Sequence, residues 1–345
     1  MINLDKYFGL HKNLTSINAF GSGLINHTWL VECGAEKFIL QAINKNVFSN
    51  PLLIDENINA ISNYLKQNHR SYFLPTPIVS TNGNTLVKQG DEYYRLFKFV
   101  QGSITYNVLS NPQQAYEAAK QFGKFTRLLS GFDISKLNCT IPDFHNLNFR
   151  YQQFQPALQN TYRQRLSEAG DLINKIEKYK NIVDKYNEIT HNKNFKQRVT
   201  HHDTKISNVL FNKEGKGICV IDLDTVMPGY FISDVGDMMR TYLSAASEEE
   251  TDMSKVFVRD EYFKAVVDGY ISEMKDELSA DEKNCFIYSG KFMIYMQALR
   301  FAADFLTGDT YYGAKYPQHN LNRAINQITL LESLIDKEEK FKNII

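Results

Sequence analysis

Residues 198–226 read RVTHHDTKISNVLFNKEGKGICVIDLDTV and interrupt a part of the chain whose apolar residues otherwise recur with helical spacing. Two short apolar runs, 208–211 and 217–223, lie within this stretch, and a polar turn that contains Gly215 separates them. Short apolar runs on either side of such a turn are typical of a β-hairpin. A hairpin embedded in a helical lobe is therefore predicted, and the functional residues are expected beside it.

Acidic and amide side chains flank this hairpin on both sides. The pattern H-x-D-x-K-x-x-N begins at His201 before it, and the sequence IDLDT follows it. Phosphoryl transfer needs an aspartate that accepts the proton of a hydroxyl nucleophile, with hard oxygen ligands for magnesium nearby. We therefore predict Asp203 as the base, Lys205 as a cation that steadies the transferring phosphoryl group, and Asn208 and Asp222 as magnesium ligands.

The first hundred residues predict a small sheet with one helix. Alternating apolar residues over 26–33, followed by a turn and the segment KFILQAI, predict a hairpin. An asparagine-proline pair and apolar residues at helical spacing then predict an amphipathic helix over 51–68. A hairpin turn at Asn82-Gly83 and the strand EYYRLFKFV complete the unit.

Helical periodicity replaces alternation after Gly102. Helices are predicted to begin at Pro112 and to occupy 165–190, 233–247, 259–275, 283–306 and 317–338. The chain is thus predicted to be an α+β protein of two lobes. A small β-rich N-terminal lobe, residues 1–101, would bind nucleotide, and a larger helical lobe, residues 102–345, would carry the catalytic loop, with a ligand cleft between them.

Composition and charge exclude several classes of protein. Of the 345 residues, 43% are hydrophobic and 23% are charged, which excludes a disordered chain. Lysine plus arginine and aspartate plus glutamate each number 39, so the net charge is zero, and neither nucleic acid nor an anionic membrane is an expected partner. No apolar run approaches the ~20 residues of a membrane span. A soluble, cytoplasmic monomer is expected.

The two motifs around the hairpin resemble those of a known superfamily. HHDTKISNVLF and VIDLDTVMPG are similar to the central motifs of the aminoglycoside phosphotransferase and choline kinase superfamily, small-molecule kinases of protein-kinase-like fold. The segments GSGLINHTWLV, FILQAINKNVF and LRFAADFLTGDTYYGAKYPQHNLNRA resemble the N-acetylhexosamine 1-kinases within it. The resemblance implies a two-lobed kinase fold, ATP and Mg²⁺ as cofactors, and transfer to the anomeric hydroxyl of a small sugar.

The resemblance also implies positions that bind the nucleotide. It supports Asp203 as the base and the two magnesium ligands named above. It implies that the hinge that meets adenine includes Phe99 and Val100, and that Ser22 in the glycine-bearing loop and Gln41 on the third strand face the nucleotide.

The same resemblance implies a sugar site at His27, Asp224, Arg300 and Tyr311. Sugars present many hydroxyl groups, which carboxylates accept and arginine or tyrosine side chains donate to. A simpler interpretation stays open for three of these residues. The alternatives are an ion pair with an aspartate one turn along its helix for Arg300, a surface aromatic for Tyr311, and a capping or packing role for His27.

One position departs from the family pattern. Protein kinases and most aminoglycoside kinases place a lysine on the third strand to hold the α- and β-phosphates, whereas the matching residue here is Gln41. The sugar 1-kinases that the chain resembles share a residue other than lysine there. Lys45 or another nearby base is a candidate substitute for the third-strand lysine. Glu56 lies where kinases place the partner of that lysine, and without the lysine it is interpreted as a solvated helix residue.

Other functions start from the same residues. The sequence from Asp222 to Val226 also fits the D-x-D-x-T/V motif of haloacid-dehalogenase-type phosphatases, but that fold needs alternating strands and helices, and residues 230–345 show hardly a strand. A metal site on the adjacent histidines is an even less favoured interpretation, because neighbouring side chains on an extended segment point in opposite directions. A nucleotide-binding pseudokinase, motivated by Gln41, and kinases for aminoglycosides, choline or amino alcohols are the remaining alternatives.

Overall fold

The computed structural model of the chain describes residues 2–10, 14–21 and 25–345. The predicted α+β class is confirmed, with a small lobe built on a sheet followed by a larger helical lobe. The first lobe contains α1 (Leu4–Phe8), β1 (Leu14–Ala19), β2 (His27–Cys33), β3 (Glu36–Ala42), α2 (Pro51–Asn68), β4 (Val87–Gln89) and β5 (Glu92–Lys98).

The helical lobe follows. It contains α3 (Pro112–Leu128), α4 (Leu147–Asn160), α5 (Arg163–Glu168), α6 (Gly170–Lys178), α7 (Asn181–His191), β6 (Arg198–Thr200), β7 (Val209–Phe211), β8 (Gly217–Val220), β9 (Met227–Gly229), α8 (Phe231–Tyr242), α9 (Asp260–Met274), α10 (Ala280–Lys283), α11 (Phe286–Leu306), α12 (His319–Asp336) and α13 (Glu338–Phe341). No helix in the described ranges is both long enough and apolar enough to cross a membrane.

The sheet of the first lobe is antiparallel, in the strand order β1-β2-β3-β5-β4. Successive side chains of a strand point to opposite faces, so Val31, Leu40 and Leu96 are buried on one face and form a small core with α1. On the central pair of strands, Gln41 of β3 lies directly opposite Arg95 of β5. This register becomes important at the site.

Helix α2 belongs to the first lobe in sequence but packs against the helical lobe. The Asn50 side chain accepts a hydrogen bond from the Leu52 amide, and Pro51 occupies the first turn, so the helix begins where the sequence predicted. Its apolar face, which includes Ile54 and Ile58, packs into the core of the helical lobe and not into that of the sheet. The buried amide of Asn57 donates to the carbonyl oxygens of Asn138 and Val226, 2.9 Å each.

Several elements differ from their predicted bounds. The region predicted as one helix over 165–190 forms three, α5 to α7, because turns at Ala169 and Lys180 end one helix and begin the next. Asn82-Gly83 does form a turn, with Gly83 at a φ of 83°, but it joins no two strands; the hairpin before β5 turns at Gly90. Strand β1 and helix α4 were not predicted, since neither has a clear apolar period.

Replacing Gly269 by alanine is expected to destabilise the helical lobe. Helix α9 packs there against α3, and a Cβ atom at Gly269 would lie 2.3 Å from the carbonyl oxygen of Tyr116. Because the clash is with backbone, Gly269→Ala should lower the free energy of unfolding by about 1–3 kcal/mol, the usual cost of overpacking. Urea denaturation measures it. Gly170→Ala is the matched control, since a Cβ atom there meets nothing within 4 Å, and equal losses for both variants would contradict this explanation.

Candidate active site

The two predicted motifs are joined at several points. Strands β6 and β9, which bracket them, pair with each other, and β7 pairs with β8 as the predicted hairpin. The Nε2 atom of His201 donates to the carbonyl oxygen of Ile221 at 3.0 Å, and the Thr225 hydroxyl donates to the carbonyl oxygen of His201 at 2.7 Å. The Ile221 amide donates to the carbonyl oxygen of Asn208 at 2.9 Å. The loop before the hairpin and the loop after it are therefore held side by side.

Asp203, Lys205 and Asn208 form one hydrogen-bonded cluster. The Oδ2 atom of Asp203 accepts from Lys205 Nζ at 2.7 Å and from Asn208 Nδ2 at 2.9 Å. Burial raises the pKa of Asp203, but the charge and hydrogen bond of Lys205, with His201 and Asn208, outweigh burial and hold that pKa below its usual value. The Asp203 side chain is 24% exposed. An ionised carboxylate within reach of a ligand is what a general base requires.

Asp222 lies at the start of the second loop, in the left-handed backbone conformation, with a φ of 63°. A non-glycine residue in this region stores strain, which is common at functional sites. Burial, followed by the negative charges of Asp224 and Asp203, raises the pKa of Asp222 to about 7. The Lys205 and Arg95 charges oppose this shift. Three carboxylates are thus crowded together, and a cation would relieve their repulsion.

The donors fit magnesium. Within the described residues, no three histidine, cysteine, aspartate or glutamate side chains form a metal site by themselves. Asn208 donates through Nδ2, so these bonds leave its amide oxygen to act as a ligand beside the Asp222 carboxylate. Magnesium suits such a site, because it is usually bound by one or two carboxylates together with waters and substrate phosphates.

Two aspartates of α8 support the predicted catalytic loop, residues 201–208, and sequence reasoning missed both. Asp234 accepts from the amides of His201 and His202, at 3.0 and 2.8 Å, and Asp237 accepts from the Thr204 amide at 2.8 Å. His202 has a φ of 64°, so the Asp234 bonds hold the loop in a left-handed turn directly before Asp203, the predicted base. Burial raises the pKa of Asp234 to about 6. The sequence S-D-V-G-D, with acids three apart soon after IDLDT, was the available signal.

The predicted nucleotide contacts lie at the end of β5 and on β3, except Ser22, which falls outside the described residues. Phe99 is partly exposed and makes an edge-to-face contact with Phe20, with ring centroids 6.2 Å apart. The carbonyl oxygen of Val100 accepts from Ser103. Gln41 is on the sheet, where its Oε1 atom accepts from Arg95 Nε at 3.0 Å.

Two of the predicted sugar contacts lie at the border of the first lobe. Asp224 is 2% exposed. Its Oδ1 atom forms an ion pair with Arg95 Nη1 at 2.6 Å, without hydrogen-bond geometry, and its Oδ2 atom accepts from Asn26 at 2.7 Å. His27 begins β2, is exposed, and lies beside Trp29 with ring centroids 6.1 Å apart. Their roles as sugar contacts stay predictions.

Arg300 and Tyr311 lie together in the helical lobe. The Arg300 guanidinium lies over three aromatic rings, 5.7 Å from the centroid of Phe144, 6.0 Å from Tyr311 and 5.4 Å from Tyr312. It does not pair with Asp304, whose carboxylate instead accepts the Tyr311 and Tyr312 amides at 2.8 and 2.9 Å. Tyr311 is 73% exposed, which suits either a ligand contact or a surface aromatic.

Fold and site together define a kinase-like phosphotransferase. Residues 16–266, which include both motif loops, match the model of the phosphotransferase enzyme family known as APH. The chain belongs to this family.

Solved structures of other proteins share this fold. The chain is similar to an aminoglycoside phosphotransferase from Alicyclobacillus acidocaldarius (12% identity, 99% of this chain and 95% of that chain, TM-score 0.64), to a spectinomycin phosphotransferase in complex with ADP and spectinomycin (14%, 97% and 96%, 0.57) and to a choline kinase from Cryptosporidium parvum (14%, 97% and 92%, 0.58). At such low identities the likeness concerns the fold alone.

Proposed function

We propose that the protein is an ATP- and magnesium-dependent kinase that phosphorylates the anomeric hydroxyl of an N-acetylhexosamine. The cluster of Asp203, Lys205, Asn208 and Asp222 carries the kinase part of this proposal. Asp203 takes the proton of the acceptor hydroxyl, the acceptor oxygen bonds to the γ-phosphorus, and the bond to ADP breaks. Lys205 stabilises the transferring group. Asn208 and Asp222 would hold magnesium, which would neutralise phosphate charge when bound.

ATP is proposed to bind between the lobes 1–101 and 102–345. The aromatic pair of the exposed Phe20 and the partly exposed Phe99 lies next to the connection between the lobes, where it offers apolar surface to adenine. Val100 continues this connection. The complex of the similar spectinomycin phosphotransferase with ADP supports nucleotide binding by this fold. The proposal places the phosphates between the sheet and Asp222.

The positive charge of Arg300 favours a neutral acceptor over a cationic one. Aromatic rings bind quaternary ammonium groups by cation–π contact, but Phe144, Tyr311 and Tyr312 already surround the guanidinium of Arg300. No carboxylate of the described residues pairs with this guanidinium, whose hydrogen-bond partner is Gln297 at 3.3 Å. Choline, ethanolamine and aminoglycosides would bring a second positive charge to this cluster. A neutral sugar would meet hydroxyl groups and N–H donors.

Phosphorylation is expected to remove the reducing end of the sugar. The anomeric hydroxyl is more acidic than the other hydroxyls, so it suits a carboxylate base, and its phosphate ester cannot open to the aldehyde. Purified protein with ATP and magnesium should release ADP with N-acetylglucosamine or N-acetylgalactosamine and yield a product that no longer reduces copper. Choline, ethanolamine and an aminoglycoside serve as comparison acceptors in the same assay.

The other outcomes are distinct. A phosphorylated product that still reduces copper or mutarotates would overturn the anomeric assignment and leave the kinase standing. Turnover with a cationic acceptor only would replace the sugar by that acceptor. Binding of ATP without turnover of any acceptor would favour a pseudokinase.

A further inference from the structure

The structure places no lysine-glutamate pair between β3 and α2 among the described residues. Gln41 takes the position of the lysine, and its side chain bonds to Thr28 and to Arg95, at 3.3 and 3.0 Å. Glu56 of α2 is exposed and accepts from Asn138 at 2.9 Å. Lys45, a candidate substitute, is exposed beyond the end of β3. In protein kinases the corresponding ion pair must be in place for activity, so another element has to organise this site.

A different ion pair occupies the border between the lobes. Arg95 lies opposite Gln41 on the neighbouring strand, and its Nη1 atom is 2.6 Å from Oδ1 of Asp224. The two side chains are 2% and 3% exposed, so solvent screens their interaction little. Asn26 holds the second carboxylate oxygen, at 2.7 Å, and accepts the Asn44 amide at 3.0 Å. Two segments of the first lobe, at Arg95 and Asn26, thus contact one carboxylate of the helical lobe, and a third segment, at Asn44, bonds to Asn26.

This carboxylate belongs to the loop that carries the proposed magnesium ligand. Asp222 is followed directly by a short 3-10 turn, Leu223–Thr225, which contains Asp224. Fixing Asp224 therefore limits where Asp222 can lie.

We propose that Arg95 is a positioning residue that sets the magnesium loop through its ion pair with Asp224, in place of the absent lysine pair. This inference rests on the proposed nucleotide-dependent function. Residues that orient metal ligands typically change metal affinity or activity by about 10- to 100-fold when replaced. Arg95 reaches the metal ligand through one neighbouring carboxylate, as such residues do.

The test measures ADP binding by calorimetry at increasing magnesium concentrations. Arg95→Gln is expected to raise the magnesium concentration needed for half-maximal ADP binding by about 10- to 100-fold. Metal-free binding of AMP should remain unchanged, and Arg95→Lys should restore part of the magnesium response. Lys88→Gln, which removes an exposed positive charge from β4 of the same sheet, is the matched control and should behave as the wild type.

A second variant separates positioning from folding. Arg95→Gln leaves the Asp224 charge buried without its partner, which can prevent folding, so the pair is also replaced together by Arg95→Gln/Asp224→Asn, with no unpaired charge. The same loss of magnesium response in a folded double variant supports the inference. A wild-type response in either folded variant, with only a lower melting temperature, would overturn it. If the wild-type protein bound no ADP with magnesium, the proposed function would fail and this inference with it.

Discussion

Asp203→Asn is expected to lower kcat by about 10²- to 10⁴-fold, the usual contribution of a positioned general base. Asparagine has nearly the shape of aspartate but cannot take the proton of the acceptor hydroxyl. In the wild type, Lys205 and Asn208 donate to Asp203 at 2.7 and 2.9 Å. The amide oxygen of asparagine can still accept both bonds, so the loop should keep its conformation. ADP release with the best acceptor measures the loss.

Two further measurements identify the cause of that loss. Nucleotide affinity and the melting temperature of Asp203→Asn should stay near the wild-type values, because Asp203 is proposed to contact the acceptor and not adenine. Asp171→Asn, which changes an exposed aspartate of α6, is the matched control and should leave turnover unchanged. Activity of Asp203→Asn within a few-fold of the wild type would mean that another residue is the base.

Glu282→Ala is expected to cost about 3–5 kcal/mol of unfolding free energy, because it leaves a buried arginine without its charge partner. Glu282 and Arg198 form a two-point pair, with N–O distances of 2.5 and 2.9 Å, and their side chains are 0% and 7% exposed. Glu282 also accepts the amides of Lys196 and Ser279, at 3.1 and 2.8 Å. Urea denaturation measures the loss.

The position of this ion pair connects it to the candidate active site. Arg198 begins β6, which leads directly into the catalytic loop. Replacing both residues by apolar ones, Arg198→Met/Glu282→Leu, should recover much of the stability, since no charge is then left buried. Asp268→Ala, which breaks an exposed pair with Lys264, is the control and should change the free energy by less than about 1 kcal/mol. A similarly small loss for Glu282→Ala would contradict the argument.

Elements with a strong local signal were predicted close to their final bounds. Helix α2 occupies Pro51–Asn68 as predicted, because its N-cap, its proline and its apolar period all lie within one stretch of chain. The 165–190 region failed for the opposite reason: an amphipathic period continues through Ala169 and Lys180, and only packing decides that the chain turns there. Strand β1 pairs with β2 at the edge of the sheet and shows little burial of its own.

The same division holds within the site. The sequence by itself predicted the proposed chemistry: Asp203, Lys205, Asn208 and Asp222 are close in sequence or lie at the two ends of one short hairpin, so their spacing already implies their proximity. Only the tertiary structure decided which residues distant in sequence meet at or near these loops. Arg95 meets Asp224, Asp234 meets the catalytic loop, and Arg300 meets three aromatic rings. These contacts depend on how sheet, loops and helices pack, and packing brings together residues that no local period or motif connects.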